Sequence, residues 1–248
     1  MYKLNFLACS IGKIYDDMLV PFLFFSLLNN KDSHVELVVV NKDKFLNTYK
    51  DELDKVSSIV GNNYIIRNYQ NSFNKNIFNT YRFFEIPVIK AEYTYIIDID
   101  IMLMEPILQK YLDNWPSNLI YSNMLREKSN LLRLTGVHLA ITEKFYTSQY
   151  LETINKYYNK NTNLNDEIIL AIMCSEVHSL PDKSFKFRPI LGIHFSPNRG
   201  PNKSMKLETS INYFNKFNDI VSQYPELFKF KIFEYLNDLL HNNFSFKS

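Results

Sequence analysis

Short apolar runs alternate with longer amphipathic ones, and this predicts a strand–helix–strand order over residues 1–105. Residues 2–9 read as a first strand, 35–40 as a second and 64–67 as a third. Between the first two, 18–30 is apolar on nearly every side and predicts a buried helix. Asp16 and Asp17 suit its positive end, and Pro21 suits its first turn. Residues 43–60 predict an amphipathic helix with Phe45, Leu46, Leu53, Val56, Ile59 and Val60 on the apolar face. A polar, Asn-rich loop spans 68–76, and 78–90 predicts a helix carrying Tyr81, Arg82, Phe84 and Ile86. A further apolar run from Tyr93 leads into Asp98 and Asp100. The alternation predicts an α/β domain with a mostly parallel sheet, whose ligands sit at the carboxyl ends of the strands.

The second half is more mixed. Residues 118–122 and 136–141 predict strands, and 143–160 and 166–176 predict helices. Short strands are expected at 185–188 and 190–195. Residues 206–242 read as helical, with Pro225 separating two pieces. The pattern has no repeat and no linker, so we expect one domain, 1–205, with a helical extension over 206–248. The extension interleaves Phe228, Phe230, Ile232, Phe233, Leu236, Leu239 and Leu240 with Lys229 and Lys231. Core packing is its expected use, and a peripheral contact with the inner face of the cytoplasmic membrane is the alternative.

Composition narrows the classes. The chain has 248 residues, 46% of them hydrophobic, enough for one large domain with a complete core. With 28 basic and 26 acidic residues, it lacks the basic excess of a nucleic-acid binder, and no nucleic-acid partner is expected. Cys9 and Cys174 lie in apolar contexts with no metal-ligand spacing, and read as two buried thiols in a reducing compartment. The opening residues read as a strand and not as a signal peptide. The longest apolar stretch, 18–28, is too short to span a bilayer. A cytoplasmic protein is expected.

The chemistry concentrates at Asp98-Ile99-Asp100. If the strand continues through them, both carboxylates point one way, about 6.6 Å apart along the strand. Carboxylates beside apolar strands are costly unless they bind a cation or do chemistry. A divalent metal carrying phosphates fits that description. A strand-to-turn cap is the plainer reading.

At this point the order of parts resembles the retaining glycosyltransferases of the GT-A fold, family 8 above all, and related bacterial surface-polysaccharide (capsule and lipooligosaccharide) transferases. The resemblance covers residues 2–205 and rests on four segments. Ala8-Cys-Ser10-Ile-Gly-Lys-Ile-Tyr15 resembles the first nucleotide-binding loop, which implies that Tyr15 stacks on uracil and that Ala8 and Ser10 line the donor. A helix-capping aromatic is the other use of Tyr15. Arg82 matches a basic residue that contacts the donor, where a plain pair with Glu85 is the alternative. Asp98, Ile99 and Asp100 match the motif that holds Mn²⁺ or Mg²⁺ and the ribose. His194, in Ile193-His-Phe195, matches a third metal ligand, where a structural His is the alternative. The family's late Lys has no counterpart at the same spacing, so Arg199 or Lys203 would stand in for it on the diphosphate. Asp166 and Glu167 match a pair near the transferred sugar, and also suit a helix N-terminus. His138, in Leu134-Thr-Gly-Val-His138, is either an acceptor-site residue or a packed core His.

The implied reaction is metal-dependent transfer from a nucleotide-diphosphate sugar to a saccharide or lipid-linked saccharide. A retaining enzyme needs no strong side-chain base, whereas an inverting one would use Asp166 or Glu167. Three rivals share features. A haloacid-dehalogenase-type phosphatase would place Asp-x-Asp on its opening strand. A nucleotidyltransferase would need a Gly-rich basic loop, of which Ser10-Ile-Gly12-Lys13 is a poor version. A non-catalytic module would bind donor without turning it over.

Overall fold

The computed structural model describes residues 2–10, 12–70, 80–158, 165–189, 191–195 and 210–243. In chain order the elements are β1 (Tyr2–Cys9), α1 (Lys13–Asn29), β2 (Ser33–Val39), α2 (Lys42–Thr48), α3 (Lys50–Val60) and β3 (Tyr64–Asn68). Next come α4 (Tyr81–Phe84), β4 (Ala91–Ile96), β5 (Ile101–Leu103), α5 (Leu108–Leu112), β6 (Tyr121–Ser122), β7 (Leu125–Lys128), β8 (Leu131–Leu134) and β9 (His138–Ile141). Then follow α6 (Thr142–Phe145), α7 (Ser148–Tyr158), α8 (Asp166–Val177), β10 (Gly192–His194), α9 (Ile211–Gln223) and α10 (Lys231–Asn243).

Six strands form the central sheet in the order β3-β2-β1-β4-β9-β6. β3, β2, β1 and β4 run parallel, as the strand–helix alternation predicts, while β9 and β6 join antiparallel. Every residue of β2 is buried, the mark of a strand covered on both faces. α1 and the C-terminal helices cover one face. Phe24 and Phe25 of α1 meet Phe233 and Phe217 with ring centroids 5.8 and 5.6 Å apart. Phe228, Ile232, Phe233, Leu236 and Leu240 are buried in this core, so those apolar side chains are spent on packing. α7 and α8 contribute to a second core with Tyr81, Phe84 and Phe145. No helix among the described residues is long and apolar enough to cross a membrane.

Several boundaries differ from the sequence reading, each for a local reason. α1 starts at Lys13, so Pro21 lies inside it and not in its first turn. The missing Pro N–H there costs one helical bond, which packing of the surrounding apolar side chains offsets. The single helix expected over 43–60 divides at Tyr49, whose hydroxyl donates to Asp17 at 2.5 Å. Of the helix expected over 78–90, the described residues from 80 onward form one turn, Tyr81–Phe84. Glu85 is already extended, and Pro87 disfavours helix in the residue before it. Residues 185–188 form no strand. β4 ends at Ile96, so Asp98 and Asp100 occupy a turn closed by Ile101 N–H to Asp98 C=O at 3.1 Å, not an extended strand. Their alternation argument fails there, yet the turn still lies at the carboxyl edge of the parallel strands.

Candidate active site

Three segments meet at that edge. The first is the loop after β1. Ser10 is fully buried, its N–H donates to Val38 C=O at 2.9 Å, and its hydroxyl donates to Asp16 at 2.5 Å. Burial pushes the Asp16 carboxyl up, against the pull of that hydrogen bond. Tyr15 is half-buried in the first turn of α1. Ala8 packs in the core and Ile99 is 5% exposed, so each offers a ligand its backbone more than its side chain.

The second is the turn between β4 and β5. Arg82 Nη1 donates to Asp98, and its Nη2 donates to Asp166 at 2.8 Å. One guanidinium therefore joins the Asp-x-Asp turn to the N-terminus of α8, across 84 residues of sequence. The expected plain pair with Glu85 is not formed, since Glu85 is bound by Arg67. Burial pulls Arg82 down, but Asp98 and Asp166 outweigh it and hold the guanidinium above its ordinary value. Burial pushes Asp98 up, and Arg82 reverses this and holds it below the usual carboxylate range. Gly136 is pressed onto the pair: a Cβ there would lie 3.2 Å from Arg82 Cζ and 3.4 Å from Asp98 Oδ1.

The third is β10, which runs antiparallel to β5 and brings His194 opposite Ile101. His194 Nε2 lies 3.3 Å from Asp100 Oδ1, and each side chain is 15% exposed. Burial holds the Asp100 carboxyl above its ordinary value, although His194 pulls the other way. Gly192 permits this strand pair, because a Cβ would meet the Met102 carbonyl carbon at 2.8 Å.

The three residues expected to share a cation are split between partners: Asp100 faces His194, and Asp98 faces Arg82. Among the described residues no group of three His, Cys, Asp or Glu side chains is placed to hold a metal ion. Arg199 and Lys203 lie outside the described residues.

Asp166 and Glu167 start α8, capped by the Asn165 side chain, which accepts from Glu167 N–H at 2.9 Å. Glu167 is held by Arg126 and, at 3.4 Å, by Arg133. His138 is fully buried, between Tyr121 stacked at 5.0 Å and Phe145 at 4.6 Å. Burial drives its pKa down to about 3, with His178 adding to the effect. A neutral ring enclosed this way fits the packed-core reading of His138, although its Nε2 is buried without a partner.

Sequence reasoning passed over Gly136, which abuts the Arg82–Asp98 pair, and over three arginines beside it, Arg126, Arg133 and Arg188. The arginines are scattered and match no motif. Gly136 stood inside a quoted segment, but a glycine's reason for being there is visible only when its neighbours are known.

No family model matches the chain, and no curated protein does. Solved structures do. The galactosyltransferase LgtC, solved with donor and acceptor sugar analogues, superposes with a TM-score of 0.50 at 12% identity, covering 91% of this chain and 94% of that one. GlyE of Streptococcus pneumoniae gives 0.48 at 12% identity, and the bifunctional glycosyltransferase WbbM gives 0.46 at 14%. The matches cover 72% and 73% of this chain but only 45% of GlyE and 38% of WbbM, so this chain spans less than half of either. The α/β architecture with its mostly parallel sheet is therefore the GT-A fold, and it carries Asp98, Asp100, Arg82 and Asp166 to one edge.

Proposed function

We propose that this protein is a glycosyltransferase that moves a sugar from a nucleotide-diphosphate sugar to a saccharide acceptor. The observation that carries the reading is the linked set Asp98–Arg82–Asp166 beside Asp100–His194, at the carboxyl edge of the parallel strands. Ligands of open α/β sheets bind at that edge. Arg82 and Asp166 would hydrogen-bond the hydroxyls of the donor sugar, and Tyr15 would stack on the base, which the resemblance makes uracil. Asp100 and His194 would hold a Mn²⁺ or Mg²⁺ ion, with Asp98 joining on release from Arg82. A divalent ion bound there supplies Lewis-acid stabilisation of the diphosphate leaving group.

Retention of anomeric configuration is the stereochemistry this arrangement favours. Both carboxylates that could serve as an inverting base are engaged, Asp166 by Arg82 and Glu167 by two arginines. A base must be free to accept a proton from the acceptor hydroxyl. The acceptor belongs, on the resemblance, to bacterial surface-polysaccharide synthesis, as a soluble or lipid-linked saccharide handled at the cytoplasmic face.

The test is a thermal-shift series of UDP-, GDP- and CMP-sugars with and without Mn²⁺, repeated on Asp100→Ala. A metal-dependent shift with one base, absent in the variant, is expected. A shift indifferent to both Mn²⁺ and the substitution overturns the metal role. No shift with any nucleotide sugar overturns the donor class.

A further inference from the structure

Two guanidinium groups converge on a single carboxylate beside this site, and the charge of a third reaches them. Arg126 of β7 and Arg133 of β8 are directly opposed across their hairpin, and both pair with Glu167. Like charges directly opposite in a ladder destabilise it. Arg188 adds a third positive charge nearby. It forms no ion pair among the described residues, yet it is near enough for its charge to act on both Arg126 and Asp98. The Nε of all three arginines is buried and lacks an acceptor. Burial and the other two arginines hold Arg126 below its ordinary value, against Glu167.

Arg126 and Arg133 share one glutamate, and Arg188 forms no ion pair among the described residues. Buried donors without acceptors are costly, and charged ones more so. An arginine fork matches carboxylate and phosphate oxygens two at a time, which a lysine cannot do. The side chains of Arg126 and Arg133 remain 28% and 25% exposed, so solvent, and hence a ligand, reaches them. Glu167 follows Asp166 in the chain, which places the cluster next to Arg82.

We propose that Arg126, Arg133 and Arg188 bind an anionic group, a carboxylate or a phosphate, carried by one of the substrate sugars. This rests on the glycosyl-transfer reading and adds a charge to its substrate. Glu167 then acts as a placeholder that keeps the arginines in position until the anion arrives.

Calorimetric titration of matched ligand pairs, each differing by one anionic group, tests this. UDP-glucuronic acid against UDP-glucose probes the donor. Sialyllactose against lactose, and glucose phosphate against glucose, probe the acceptor. In one pair the anionic member is expected to bind at least roughly tenfold tighter than its neutral partner, the effect of one charge-assisted hydrogen bond. Arg188→Gln and the double variant R126Q/R133Q should erase that preference and leave neutral binding unchanged. Should the double variant fold poorly after losing the Glu167 partners, Arg188→Gln decides, because it breaks no ion pair. Equal binding within every pair, or a preference that survives Arg188→Gln, overturns the proposal. The two readings fail separately. If no nucleotide sugar binds but an acceptor preference vanishes in Arg188→Gln, the donor reading falls and the anion cluster stands.

Discussion

Arg67 and Arg82 are built alike, each a guanidinium clamped between two carboxylates, and they do opposite things. Arg67 donates to Glu36 at 2.6 Å, to Glu85, and to the carbonyls of Asn68 and Ile86 at 3.1 Å. Glu36 also accepts from Asn5 at 3.2 Å and from the Val88 N–H at 3.1 Å, and Glu85 from the Gln70 N–H at 3.1 Å. Both glutamates are fully buried, and each nitrogen of Arg67 has an acceptor. Around Arg67 every donor is matched, and the one unpaired atom of the network is the buried Asn5 Oδ1. The network ties β2 and β3 to the segment entering β4 and leaves no Arg67 donor for a ligand. Arg82 keeps a buried Nε without an acceptor, and its partner Asp98 remains 26% exposed. Saturation separates the two: a satisfied buried network specifies structure, and an unsatisfied one at an open sheet edge has capacity for a substrate.

The largest expected effect is on stability. Arg67→Ala strands two buried carboxylates and should cost about 3–5 kcal/mol, read as a drop in the urea midpoint at unchanged slope. A loss below about 1 kcal/mol would mean that the Arg67 network is as open as the Arg82 one. Arg82→Gln comes next and acts on a different quantity. Its carboxylate partners are partly exposed and can rehydrate, so its midpoint should move much less. Transfer should fall by about 10²–10³-fold, the usual loss when a positioned donor is removed from a reacting centre. Equal loss of stability in both variants would erase the distinction between closed and open.

These two networks differ in how far the sequence announced them. The parallel half of the sheet was legible because β1, β2 and β4 are apolar runs bounded by helical periodicity, and Asp98-Ile-Asp100 stood out against them. Arg82 was singled out as a candidate through resemblance, but its partners were not: periodicity carries no information on a contact 84 residues away. The β7–β8 hairpin was missed for a chemical reason. Ser129 and Asn130 take φ of 52° and 63°, the turn that Asn-Gly normally signals, and the flanking Leu-Arg-Glu-Lys and Leu-Leu-Arg-Leu lack β-branched residues. The arginines it carries were missed with it. α4 was overextended because the apolar spacing of residues 78–86 continues past the point where Pro87 forbids helix.

Gly136→Ala sharpens the comparison from the side of the open network. The new Cβ would press on Arg82 Cζ, and the guanidinium must shift to make room. Displacement of a positioning group by a fraction of an ångström should cost transfer roughly tenfold. The Arg67 network is untouched, so the melting temperature should hold within the range of ordinary surface changes. A smaller loss in Gly136→Ala when Arg82 is already Gln than in the parent would show that the two changes act through the same group. Activity equal to the parent in Gly136→Ala alone would detach Arg82 from the reaction.

The smallest effect belongs to His138, a buried ring whose expected signature is acid sensitivity. Its ring is held neutral, with a pKa near 3 in the fold against 6.5 when exposed, because burial and His178 both oppose its charge. The unfolded chain therefore takes up a proton first. Stability is full above 6.5 and declines as the pH falls below it, by a slope approaching about 1.4 kcal/mol per unit. At neutral pH the contribution is close to nil. His138→Phe removes the group and should flatten the fall in melting temperature between neutral and mildly acidic buffer, leaving the part that His178, also held low by burial, supplies. An unchanged acid slope in that variant would mean that the ring takes up its proton in the folded protein as readily as in the unfolded chain.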